Sequence, residues 1–141
     1  MIYLDTSAFV KLIWSERETE ALQGFLAGRR HAPPVSSALL VVEVRRAVLR
    51  TRPGTVPRAD LLLTRVGQVG VTRAIVEAAS RLPDPRLRSL DAIHLATALR
   101  LREDLDALVT YDDRLAAAAA SHDLPFAMPG RPDQMAGREA R

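Results

Sequence analysis

Apolar residues in this chain fall in short blocks that switch between strand-like and helix-like spacing. Residues 1–5, MIYLD, form an apolar run closed by a charge and read as a short buried strand. Thr6 or Ser7 can cap a helix running through Ile13. Glu16, Glu18 and Glu20 then load the first turn of a second helix that ends near Gly28. The pair Pro33-Pro34 breaks the chain, and Val35 with Ser36 predicts a short strand. Ser36 or Ser37 starts a long helix, ALLVVEVRRAVLR, which stops before Pro53-Gly54. Residues 57–66 predict a helix, and VGQVGV alternates like a strand around residues 66–71. Thr72 caps a helix to about Leu82, and PDPR is a loop. SLDAIHLATALRL is strongly helical, with Ser89 placed to be its N-cap. ALVTYDD is a strand ending in polar residues, RLAAAAASH a helix, and PFAM a last short strand.

Strands that alternate with helices in this way predict an α/β fold of three layers, a central, mainly parallel sheet flanked by helices on both faces. One domain covers residues 1–128, and PGRPDQMAGREAR from Pro129 has the composition of a frayed tail. In open sheets of this kind reactive groups collect at the carboxyl ends of the strands.

Composition narrows the chemistry. With 48% hydrophobic and 26% charged residues over 141 positions, the chain is an ordinary globular domain rather than a disordered one. It has no cysteine, so disulfides and thiolate metal sites are excluded and any metal must be held by oxygen or imidazole. No apolar run approaches the roughly 20 residues of a membrane helix, and the N-terminus lacks a leader pattern, so a cytoplasmic protein is expected. The net charge is +3; among the 20 basic residues Lys11 is the only lysine. Arginine grips phosphate through a planar fork, although codon usage in a GC-rich genome gives the same excess.

Four of the 17 acids break an apolar pattern or close a strand. Asp5 ends the first strand. Glu43 lies inside Leu39-Leu40-Val41-Val42-Glu43-Val44, on a helical face shared with Leu39 and Ala47, where a core residue is expected. Asp91 falls in the first turn of its helix, and Asp112 closes Leu108-Val109-Thr110-Tyr111. Each has a structural explanation of its own. Asp5 and Asp112 fit helix N-caps, Asp91 complements a helix dipole, and Glu43 can pair with Arg46 or Arg50. By contrast Glu16, Glu18, Glu20, Glu103, Asp104 and Asp106 lie in polar stretches and are expected to be solvated.

An α/β layout brings the four acids together at one edge of the sheet. Carboxylates so close repel and raise each other's pKa, so a positive group is needed to keep them ionised. An all-oxygen set selects hard divalent ions, Mg²⁺ or Mn²⁺, which suits phosphodiester hydrolysis. Thr6, Ser7 and Thr110 add hydroxyls beside Asp5 and Asp112 that can orient the carboxylates.

The segments IYLDTSAFVKL, VVEVRRA, SLDAIHLATAL and LVTYDDRL, in this order and spacing over about residues 1–128, resemble PIN-domain ribonucleases of the VapC type found in bacterial toxin–antitoxin pairs. The resemblance implies metal-binding catalytic acids at Asp5, Glu43, Asp91 and Asp112, a supporting hydroxyl at Thr6 or Ser7, and another at Thr110. It implies an endoribonuclease toxin that uses Mg²⁺ or Mn²⁺, inhibits translation, and leaves a 5′-phosphate and a 3′-hydroxyl. It also implies a homodimer neutralised by a VapB-type antitoxin covering the active site. Asp113, next to Asp112, either shares the metal or caps the next helix, with capping favoured.

Several other residues carry weaker signals. His94 follows Asp91 at i+3 and reads as a histidine packed or hydrogen-bonded behind the site rather than a ligand. Arg45, Arg46 and Arg50 can grip phosphate, and Trp14 beside Lys11 can stack a base, although packing is the commoner role of a lone tryptophan. A phosphatase of the haloacid dehalogenase type needs a second aspartate two residues after Asp5, where this chain has Ser7. A receiver domain needs a late lysine, which is absent. A PIN fold kept only as a binding scaffold predicts the loss of one of the four acids, and none is lost.

Overall fold

In a computed structural model the described residues, 1–132, build a five-stranded, wholly parallel sheet in the order β3-β2-β1-β4-β5. The strands are β1 (Ile2–Leu4), β2 (Pro34–Ser37), β3 (Gly67–Val69), β4 (Ala107–Val109) and β5 (Phe126–Ala127). The helices are α1 (Thr6–Ile13), α2 (Thr19–Ala27), α3 (Leu39–Thr51), α4 (Val56–Leu63), α5 (Arg73–Ser80), α6 (Ser89–Arg100) and α7 (Asp113–Ser121). This is the three-layer arrangement expected from the alternation.

Side-chain alternation along β1 explains the layering. Ile2 and Leu4 point to one face, into a core built by Phe9 and Ile13 of α1, Leu22 of α2, Leu40 and Val44 of α3, and Leu63 of α4. Tyr3 points to the other face, among Leu95 and Ala98 of α6 and Leu115 and Ala119 of α7. All three β1 side chains are buried, so the strand is apolar on both sides, as a central parallel strand must be. Burial of each such side chain contributes about 1.5–3 kcal/mol.

The strand order places a switch point at the centre. From β1 the chain runs outward to β2 and β3, whereas β4 lies on the opposite side of β1 and continues to β5. β1 and β4 pair in register, Leu4 opposite Val109, and the Asp5 amide donates to the Val109 carbonyl. The crevice beyond their carboxyl ends is where such sheets hold ligands.

The structure corrects several local expectations. Asp5, not Thr6 or Ser7, is the N-cap of α1, because its extended backbone (ψ 177°) lets the carboxylate accept the Ala8 amide at 2.9 Å. The N-cap of α3 is Ala38, while the Ser37 hydroxyl accepts the Leu39 amide. Arg88 rather than Ser89 precedes α6, without a side-chain cap. Thr72 caps α5 as expected. Glu16 and Glu18 lie before α2 rather than in its first turn, and they are not simply solvated: both bind the Lys11 ammonium, at 2.6 and 2.9 Å. The tail from Pro129 begins with docked residues. Tyr111 donates its hydroxyl to the Pro129 carbonyl, and Arg131 donates to the Tyr111 carbonyl. The rest of the expected tail, from residue 133, lies outside the described residues.

Candidate active site

At the switch point, Asp5 and Asp112 share one hydroxyl. Thr110 donates to Asp5 Oδ2 at 2.6 Å, and its oxygen accepts the Asp112 amide at 3.0 Å. The other Asp5 oxygen accepts from the Ser7 hydroxyl at 2.7 Å and from the Ala8 amide. Ser7 Oγ in turn accepts the Tyr111 amide, so the loops after β1 and β4 are bound to each other as well as to the acid. Of the two hydroxyls beside Asp5, Ser7 therefore holds the carboxylate. The Thr6 oxygen is buried with no hydrogen-bond partner among the described residues.

Asp112 is the N-cap of α7, its Oδ1 accepting the Arg114 and Leu115 amides at 2.9 and 3.0 Å. The cap is Asp112 and not Asp113, whose side chain is 82% exposed and lies 3.5 Å from Arg131. Asp113 does not cap the helix.

Glu43 reaches across from α3 to α6. Its Oε1 lies 2.6 Å from His94 Nε2, which replaces the intrahelical pairing with Arg46 or Arg50. The other ring nitrogen of His94 lies 2.7 Å from the Tyr3 hydroxyl, whose oxygen also accepts the Ser37 amide. His94 is thus hydrogen-bonded behind the acids. Tyr3 was not legible as a site residue, although a tyrosine within a fully buried strand must find a partner for its hydroxyl. Burial pushes that phenol far above its usual range. Asp91, one turn before His94 on α6, is half-buried and has Arg88 at 3.9 Å.

The electrostatics tie these groups together. Burial raises the Asp5 carboxyl above its usual range, against the opposing hydrogen bonds from Thr110, Ser7 and the Ala8 amide. Burial also raises Asp91, and the negative charges of Asp112 and Glu43 add to it, while Arg88 opposes. A cation among these acids would relieve both effects. The donor set fits a hard divalent ion: among the described residues, Asp112 Oδ2, Glu43 Oε2 and both Asp91 oxygens accept no hydrogen bond. Among the described residues no three acidic or imidazole groups stand together as a ready-made set for one ion.

The residues expected to touch a nucleic acid are differently disposed. Arg45 bonds Asp60 of α4 at 2.9 Å, and Trp14 donates to Glu16 with Arg52 over its ring. Arg46 is exposed and makes no hydrogen bond or ion pair among the described residues. Lys11 is buried over the Tyr111 ring between Glu16 and Glu18 and is not available to a substrate.

Known proteins share this fold. A family model described as PIN domain matches residues 2–121. A Mycobacterium tuberculosis relative, Ribonuclease VapC35, is 44% identical over 133 residues, covering 93% of this chain and 98% of its own. A toxin–antitoxin complex from Klebsiella pneumoniae superposes with a TM-score of 0.71 at 22% identity, covering 92% of this chain and 98% of the other. Mycobacterium tuberculosis VapC20, described as a sarcin-ricin loop cleaving toxin, gives 0.67 at 20% identity, covering 84% and 95%. At those two identities the likeness speaks to the fold.

Proposed function

The chain belongs to the PIN-domain family, and on that premise we propose that it is an endoribonuclease toxin of the VapC type whose active site is the cluster Asp5, Glu43, Asp91 and Asp112. The observation that carries the assignment is the Thr110 hydroxyl shared by Asp5 and Asp112 at the carboxyl ends of the two central strands. The relative named Ribonuclease VapC35 supports the activity, and the toxin–antitoxin complex supports the biological setting. No helix among the described residues is long and apolar enough to cross a membrane; on this reading the protein acts on RNA in the cytoplasm and inhibits translation.

The four acids would hold Mg²⁺ or Mn²⁺. When bound, such an ion polarises a phosphoryl oxygen and lowers the pKa of water to the range where it attacks phosphorus. The protein's own part is positional. Ser7, Thr110 and the Ala8 amide fix both oxygens of Asp5, and the first turn of α7 fixes one oxygen of Asp112. Arg46, exposed on the same helix as Glu43, would receive an RNA phosphate on this reading. Attack on phosphorus breaks the bond to the 3′ oxygen, giving a 3′-hydroxyl and a 5′-phosphate. A VapB-type antitoxin covering these acids and a second copy of the chain complete the proposed partners.

The test is direct. The purified protein, freed of antitoxin, should cut RNA with Mg²⁺ or Mn²⁺ and stop on chelation, and every new 5′ end should accept ligation as a 5′-phosphate. Cleavage unaffected by chelation, or ends bearing a 5′-hydroxyl, would rule out this chemistry.

A further inference from the structure

Each proposed ligand except Asp91 is held by a hydrogen-bond donor, and the donor differs in kind. Asp5 is gripped by the Ser7 and Thr110 hydroxyls and the Ala8 amide, and Asp112 by the Arg114 and Leu115 amides of its own helix N-terminus. Glu43 has neither kind of donor. It lies within α3, on a longer side chain with more rotamers to lose, and its one hydrogen bond among the described residues comes from another helix.

Proton accounting fixes the sense of that bond. The Ser37 amide donates to the Tyr3 oxygen at 3.1 Å. A carboxylate oxygen can only accept, so His94 Nε2 donates to Glu43 Oε1 at 2.6 Å. In a neutral ring Nδ1 is then the acceptor, and the Tyr3 hydroxyl at 2.7 Å donates to it. The opposite tautomer would set a lone pair against a carboxylate oxygen at that distance. Tyr3 and His94 are 0% and 1% exposed, so packing holds the rings as well as the hydrogen bonds do.

We propose that His94 is the positioning residue of Glu43: Tyr3 supports its Nε2–H tautomer, and the imidazole holds Oε1 so that Oε2 is presented to the divalent cation. This rests on the metal-site reading above. It makes β1 the common reference for two acids. Asp5 follows the strand directly, and Tyr3, two residues earlier, sets Glu43 through His94.

The experiment measures Mn²⁺ binding by titration calorimetry on the full chain, with melting of each metal-free variant as the folding control. His94→Ala should weaken Mn²⁺ binding about 10-fold or more, the usual scale for groups that orient a ligand. His94→Gln, whose amide N–H can reach the same carboxylate oxygen, should recover most of that loss. Tyr3→Phe removes one oxygen, frees the tautomer and should give an intermediate loss, which keeps the test open if His94→Ala does not fold. A purely structural histidine would let the alanine and glutamine variants bind alike. Equal Mn²⁺ affinity in the parent, His94→Ala and Tyr3→Phe, alongside loss of binding in Asp112→Asn, overturns the role of His94 and leaves the metal site standing. No binding by the parent itself overturns both.

Discussion

Thr110 joins Asp5 to Asp112 through a single oxygen, donating to the first at 2.6 Å and accepting the amide of the second at 3.0 Å. The contact spans 105 residues of chain and exists because β1 and β4 lie side by side in register. It converts two strand ends into one rigid unit.

Thr110→Val keeps the shape of the side chain and removes that oxygen. A buried carboxylate oxygen then loses its donor, a change worth about 1–3 kcal/mol of stability. RNA cleavage should fall by at least about 10-fold, as for other groups that orient a ligand. Denaturant titration and a cleavage assay read the two effects separately. A fully active Thr110→Val protein would mean that the shared hydroxyl does not organise the site.

The adjacent aspartates should differ sharply. Asp112→Asn should abolish cleavage, whereas Asp113→Asn, altering an 82% exposed side chain, should leave it within about twofold of the parent and change stability little. Comparable losses in the two variants would contradict the placement of Asp113 outside the site.

Much of this arrangement was legible in the sequence because it follows from local pattern. Apolar runs closed by Asp5 and Asp112 marked the strand ends, and Glu43 stood out as an acid inside an apolar helix face. The errors have two physical sources. Helix caps slipped at α1, α3 and α6, because good capping residues stand side by side at α1 and α3 and a serine next to the α6 start drew the assignment there. Only backbone geometry chooses the cap. The pairing of Glu43 with His94 depends on how α3 meets α6 across 51 residues of chain, which no local period encodes. Glu16 and Glu18 read as helix-dipole acids because nothing in the sequence shows that Lys11 folds back between them.

The Lys11 cluster has its own pH signature. The hydrogen bonds from Lys11 hold the carboxyls of Glu16 and Glu18 below their usual range despite some burial. Burial of Lys11 works to lower its ammonium pKa, but the two glutamates outweigh it and raise the value. The depressed carboxyls stabilise the fold above the ordinary glutamate range, and that contribution is lost as pH falls through their folded values. Glu16→Gln with Glu18→Gln should therefore lower the melting temperature at neutral pH and flatten its fall on acidification. Parallel melting curves for parent and double variant from neutral to acidic pH would contradict the coupling.

Gly130 tests whether the segment after β5 belongs to the fold. Its φ of +91° is one that other residues rarely adopt, and an added Cβ would meet Ala21 Cβ at 3.1 Å and Glu18 Cβ at 3.2 Å. Gly130→Ala should destabilise the protein by about 1 kcal/mol or more. A melting temperature equal to the parent's would show that this contact contributes nothing.

The central claim is that Asp5, Glu43, Asp91 and Asp112 form one metal-dependent site, and Asp5→Asn probes it most directly. Asparagine keeps the shape of a side chain that is only 3% exposed and the carbonyl that can accept from Ser7 and the Ala8 amide, while removing the charge. Cleavage of RNA should be measured with Mn²⁺ for parent and variant, both folded by circular dichroism. The account predicts cutting by the parent and none above background by Asp5→Asn; equal rates for the two proteins would contradict it.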